Sequence, residues 1–159
     1  MLENYKKHCD ERAQEGIPPL PLNADQVAQL TELIKVENSE AELLIDLLEN
    51  RVPAGVDQAA YVKAGFLADI AKGKTTSPYI TKQKAVKLLG TMLGGYNIAP
   101  LIECLKDHEL GKDAAEALSN TLLIFDAFNE IFELSKTNEH AKEVIDNWAQ
   151  ASWFTGKKN

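Results

Sequence analysis

The chain has 159 residues, 45% of them hydrophobic and 26% charged, with a formal net charge of −7. That length is read as one domain over residues 1–159, able to bury most of the apolar surface of its unfolded form. The acidic balance argues against broad, non-specific nucleic-acid binding, which needs a cationic surface. No apolar run approaches the roughly 18 residues of a membrane span. The opening "MLENYKKHCDERAQEG" is charged throughout and lacks the apolar region of a secretory signal. Cys9 and Cys104 lie 95 positions apart with no CxxC spacing, which reads as free thiols in a reducing cytoplasm.

A first helix is predicted over roughly residues 2–15, ending at Gly16, and the proline-rich stretch 16–22 ("GIPPLPL") forms an extended connector. "NADQ" at 23–26 predicts a capping box, and Val27, Leu30, Leu33 and Ile34 then share one helical face. "SEAE" predicts a second such start at Ser39 with Glu42 at the third position, ahead of Leu43, Leu44, Leu47 and Leu48. "RVPAGV" breaks the chain. Asp57 caps a helix carrying Val62, Phe66, Leu67 and Ile70 that stops at Gly73, and Thr81 caps one holding Val86, Leu88, Leu89 and Met92. Leu101, Ile102 and Leu105 form a short amphipathic segment ending near Gly111. "DAAEALSNTLLIFDAFNEIFELS" is one helix or two with a break near Ser119 and Asn120; the last helix places Val144, Ile145, Trp148 and Trp153 for packing.

Sustained alternation and hairpin dipeptides are absent, so the fold class is all-α. Short helices with short connections pack as antiparallel hairpins, and both a compact bundle and a HEAT-like α-solenoid fit. The broad apolar stripes favour the solenoid.

"LLGTMLGGYNIAPLIECL" at 88–105 has three glycines and the look of an anion-cradling loop. A phosphate loop requires a preceding strand and a Lys-Ser/Thr pair, and a dinucleotide fingerprint requires GxGxxG; neither is present. The stretch is read as a helix–turn–helix. Gly94 or Gly95 supplies a left-handed residue, Pro100 sits in the next helix's first turn, and Gly90 admits a neighbouring backbone. Cys104 and His108, four apart on a predicted helix, could reach one metal ion, but two ligands do not complete a site and Asp107 points away. His8 beside Cys9, the carboxylates of "ENSEAE", and Ser119 have no catalytic context. No catalytic, cofactor-binding or metal-ligating residue is assigned.

One feature stands apart. From Ile70 to Ile102 there is no acidic residue, while Lys72, Lys74, Lys82, Lys84 and Lys87 all fall in that window. It carries +5 and the remainder −12. The plain reading is a solvated basic face; the functional one is a patch that docks an acidic surface, small carboxylates or RNA.

"NRVPAGVDQAAYVKAGFLADIAKG", "LLGTMLGGYNIAPLIECL", "LSNTLLIFDAFNEI" and "NWAQASWF" together resemble the N-terminal HEAT-like domain of the aconitase B family, over nearly the whole chain. That family comprises bacterial bifunctional aconitate hydratases and 2-methylisocitrate dehydratases, several times longer than this chain. The resemblance implies an N-terminal fragment of such a hydro-lyase, ending about where the next domain begins. It implies a [4Fe–4S] cluster held by three cysteines in later domains, and none in this segment. The implied partners are the catalytic domains of the same polypeptide, a second copy in a homodimer, and mRNA. The implied roles are domain docking, formation of the substrate channel and association, with an independent adaptor or RNA-binding module as the alternative.

Overall fold

The structure, a computed structural model, describes residues 1–121 and 125–151. Among the described residues there are nine α-helices and no strand. They are α1 (Leu2–Gln14), α2 (Ala24–Ile34), α3 (Ala41–Asn50), α4 (Gln58–Ala71), α5 (Lys82–Gly90), α6 (Ile98–Cys104), α7 (Gly111–Ser119), α8 (Phe125–Ser135) and α9 (Glu139–Ala149). No helix among the described residues is long and apolar enough to cross a membrane.

Three helix starts follow the sequence signals. Asn23 Oδ1 accepts from the Gln26 N–H at 2.9 Å while Gln26 Oε1 accepts from the Asn23 N–H at 3.0 Å, a complete capping box on α2. Asp57 accepts from the Ala59 N–H at 2.8 Å on α4, and Thr81 from the Lys84 N–H at 3.1 Å on α5.

The start of α3 differs from expectation. Ser39 caps nothing; the N-cap is Glu40, without a side-chain bond, and α3 begins at Ala41. Asn38 instead turns the chain, accepting from the Glu40 N–H at 2.9 Å, and the hydroxyl of Tyr79 holds Asn38 from across the fold. The long apolar segment is two helices, α7 ending at Ser119 and α8 beginning at Phe125. Trp153 lies outside the described residues.

Packing proceeds in chain order. α2 touches α3 and α4, α4 touches α5, α5 touches α6 and α7, α6 touches α7 and α8, and α9 lies against both α7 and α8. Among the described residues, every extensive helix contact joins elements one or two places apart, the quasi-linear order of a solenoid-like domain. One apolar cluster threads this ladder from Tyr5 to Val144. Leu30, Leu44, Leu67, Leu89, Leu101, Leu105 and Leu118 are fully buried in it. Each such side chain contributes about 1.5–3 kcal/mol. Leu33, Leu43, Val62 and Leu88, expected inside, lie at its edge and are half-buried.

α1 is attached differently. It buries only Tyr5, and its hold is largely polar. The Tyr5 hydroxyl donates to the Leu20 carbonyl at 3.2 Å and accepts from Arg51 Nε at 3.0 Å. Arg51 Nη2 donates to the Pro19 carbonyl at 2.5 Å, and the Arg51 carbonyl accepts from the Leu22 N–H at 2.8 Å. Arg51 thus clamps the proline connector and α1 onto the end of α3. Arg51→Ala is expected to cost about 2 kcal/mol, since it removes charge-assisted bonds from part-buried acceptors. Limited proteolysis should then cut first within residues 15–22; unchanged cleavage there would contradict the clamp.

Candidate docking site

The five lysines of the basic window are not a free cationic patch. Lys72 Nζ lies 2.5 Å from Glu103 on α6, and Lys84 Nζ lies 2.8 Å from Glu49 on α3. Lys74 and Lys87 reach Asp69 on α4 and Asp113 on α7, each at 3.9 Å. All four carboxylates come from outside residues 70–102. The fold therefore returns to the lysines the negative charge that the linear window lacks. The bond from Lys72 holds the Glu103 carboxyl below its ordinary range, and Lys72 also adds direct charge attraction. Only Lys82 of the five makes no ion pair among the described residues, and its ammonium rests over Gly73. Exposed pairs of this kind contribute roughly 0–1 kcal/mol each, so they orient charge more than they stabilise.

A sixth lysine stands apart from these five. Lys63, on α4, is buried at 4% exposure. Burial pushes its ammonium below the usual lysine range, with the charge of Glu49 pulling the other way. Glu49 therefore faces both Lys63 and Lys84. The available signal was Lys63 lying between the apolar positions Ala59, Ala60, Phe66 and Leu67 of α4.

The glycine-rich stretch is a turn, and its packing is specific. α5 ends at Gly90, with bonds from the Thr91 and Met92 N–H groups back to the Leu88 and Leu89 carbonyls. The left-handed residue expected at the helix end is Gly95, φ 85°, several residues beyond it. Buried Asn97 does the capping, its Nδ2 donating to the carbonyls of Leu89 at 2.8 Å and Met92 at 3.2 Å. Pro100 occupies the first turn of α6 as expected.

This turn is laced to the α3–α4 turn. The Leu93 N–H donates to the Ala54 carbonyl at 2.8 Å, and the Tyr96 hydroxyl to the Val56 carbonyl at 3.0 Å. A Cβ on Gly94 would stand 2.1 Å from the Gly55 carbonyl oxygen, so only glycine allows the two backbones to meet. Gly90 lies against the side chain of Ala117 on α7, where an added Cβ would come within 2.8 Å of the Ala117 Cβ.

The metal pairing considered at Cys104 and His108 rested on a continuous helix. α6 ends at Cys104, leaving Cys104 buried and His108 91% exposed in the following turn. Asp107 is occupied in that turn, accepting from the N–H groups of Glu109 at 2.8 Å and Leu110 at 3.1 Å, which lowers its pKa. Burial, with Asp107 nearby, pushes the Cys104 thiol up to about 11, so it is a neutral packing group. A [4Fe–4S] cluster held by three thiolates does not fit this donor set, which offers two cysteines, one of them a poor thiolate.

Trp148 donates from Nε1 to the Leu118 carbonyl at 3.2 Å and stacks on Phe128, with ring centroids 6.0 Å apart. His8 accepts from the Leu20 N–H at 3.0 Å, which ties α1 to the connector. Ser119 bonds the Ala115 carbonyl of its own helix at 2.7 Å. These candidates thus serve packing and turn closure.

Fold and site together define an all-helical, solenoid-like domain whose distinctive groups lie in laced turns and paired surface charges. The aconitate B N-terminal domain family matches residues 4–154, and the chain belongs to that family. It is 58% identical over 159 residues to aconitate hydratase B of Escherichia coli, covering 99% of this chain and 18% of that protein. Against aconitate hydratase B of Pseudomonas aeruginosa the identity is 57% with the same coverage. Against that of Helicobacter pylori it is 48%, covering 99% of this chain and 19% of the relative. The chain therefore spans less than a fifth of the length of these curated relatives.

Two outcomes test the site's geometry. Gly94→Ala is expected to destabilise the chain by about 2 kcal/mol or more, because a backbone carbonyl cannot yield as a side chain can. Gly65→Ala, on α4 with open space around its Cα, should instead stabilise by about 0.5–1 kcal/mol; denaturant titration of both reverses the account if the signs are exchanged. For Cys104, a folded pKa of about 11 against 9.0 for the free thiol means the unfolded chain loses this proton first. Its contribution to stability is therefore full below pH 9 and falls as pH rises from 9 towards 11. At pH 8, alkylation should label Cys9 well before Cys104, as read by mass spectrometry.

Proposed function

We propose that this chain is the N-terminal helical contact domain of a longer hydro-lyase of the aconitate hydratase B type. In this reading the longer enzyme interconverts citrate and isocitrate through cis-aconitate and carries its [4Fe–4S] cluster in later domains. The present domain makes no bonds; it docks on the catalytic domains, helps wall the substrate's path and supports association, in the cytoplasm. We read its ladder of helices as HEAT-type stacking, an architecture that offers extended contact surfaces. The observation that carries the proposal is identity of 48–58% to proteins named aconitate hydratase B, aligned over 99% of this chain.

An independent adaptor or RNA-binding module is the second reading. It draws on the lysine face: Lys82 stands outside the ion pairs, and Lys74 and Lys87 reach their carboxylates only at 3.9 Å. Paired lysines and a charge of −7 favour a protein surface over a polyphosphate.

Sedimentation of the 159-residue chain, alone and mixed with the remainder of the longer polypeptide, tests the docking reading. A complex with that remainder and no citrate turnover by this chain alone are expected. Turnover by this chain, or failure to associate, would contradict the proposal. Reversing Lys82, Lys84 and Lys87 to Glu should weaken that association and its salt dependence; if both are unchanged, the lysines only solubilise.

A further inference from the structure

The laced turns display a surface that the packing of this domain leaves unused. Leu93 is 83% exposed, Val56 74% and Tyr61 60%. Half-buried Tyr96 joins them, its ring edge-on to Tyr61 at 5.3 Å between centroids, with its hydroxyl on the Val56 carbonyl. The sequence around them is free of charge to an unusual degree. Residues 88–102 contain no charged side chain, and 52–62 contain only Asp57, whose carboxylate caps α4. Solvent-facing turns in a chain that is 26% charged are ordinarily polar. Depletion of charge together with exposed tyrosines is the composition of an interface core.

The surface is also rigid. The Leu93–Ala54 bond, the contact of Gly94 with Gly55 and the double bond from Asn97 fix both turns before any partner arrives. A preorganised surface loses little conformational entropy on binding. Of the other exposed apolar groups, Ile17 at 39% and Leu20 at 54% lie on the proline connector, whose backbone groups are taken up by Tyr5, His8 and Arg51. Phe128 and Phe132 stack on each other, with Lys136 over the second ring, and Val36 has no exposed apolar neighbour in sequence.

We infer that Val56, Tyr61, Leu93 and Tyr96 form the face by which this domain packs on another domain of the same polypeptide, against an uncharged apolar surface. The inference rests on the docking reading above and gives it a location. The Tyr61 hydroxyl, which makes no hydrogen bond among the described residues, takes a polar partner there.

Area decides the occupant. Four side chains at these exposures offer on the order of 400 Å², about half of the ~800 Å² per partner that separate molecules use for stable association. A second copy would therefore bind weakly through this face. A domain on the same chain meets it at an effective concentration near millimolar and needs less contact. The chain spans less than a fifth of its relatives' length, so in a polypeptide of that size such a domain is at hand.

Hydrogen–deuterium exchange locates the face, comparing the 159-residue chain alone with the same sequence inside the longer polypeptide. Exchange at residues 53–61 and 91–97 is expected to slow by about tenfold or more in the longer polypeptide. Slowing confined to other residues would overturn this face while leaving domain docking intact. Slowing nowhere would overturn docking as well. Protection of 53–61 and 91–97 that appears in the isolated chain as its concentration rises would assign the face to a second copy and overturn the inference. Leu93→Asp, at an exposed position, should leave the isolated chain's Tm unchanged and abolish the protection in the longer polypeptide; retained protection contradicts the inference even where the variant is stable.

Discussion

Gly94 against the Gly55 carbonyl, Gly90 against Ala117 and Gly111 against His140 are three places where a Cβ would fall 2.1, 2.8 and 2.2 Å from its neighbour. They sit between successive parts of the ladder: the α3–α4 turn on the α5–α6 turn, α5 on α7, and α7 on the start of α9. Leucine burial supplies the driving force, but burial is non-directional and would accept many helix arrangements. Close approach does not, whether to a backbone carbonyl as at Gly94, to the Cβ of Ala117 at Gly90 or to the imidazole of His140 at Gly111. The three contacts fix how near each element comes to the next, and the fully buried leucines fill the space that remains.

Function follows from what this packing leaves over. Among the described residues the interior is apolar apart from a few groups such as Thr31, Lys63 and Asn97, and no set of acid, base and nucleophile converges there. What distinguishes the domain is outside: a lysine face neutralised by carboxylates from α3, α4, α6 and α7, and an uncharged platform where two turns are tied together. The docking role proposed above draws on both.

Local signals in the sequence were legible, and long-range ones were not. Asn23, Asp57 and Thr81 cap their helices because a cap and its partner lie within three residues of one another. Val27, Leu30, Ile34, Leu44, Leu47 and Leu48 are buried as helical periodicity requires. Ser39 failed as a cap because Tyr79, some forty positions away, helps hold Asn38 in a competing turn. The basic window looked cationic because Glu49, Asp69, Glu103 and Asp113 lie outside it in sequence but beside it in space. Gly94 was legible as a turn residue, whereas the backbone it approaches was not.

On the proposal above, this domain docks on the rest of a longer polypeptide through the turn platform. A photoactivatable side chain at position 93, in a polypeptide of the relatives' length carrying this sequence, addresses it directly. Mass spectrometry should find cross-links from position 93 to residues beyond 159 of the same molecule, and far fewer from a control at exposed position 36. Equal capture from both positions, or capture by solvent alone at position 93, would contradict the account.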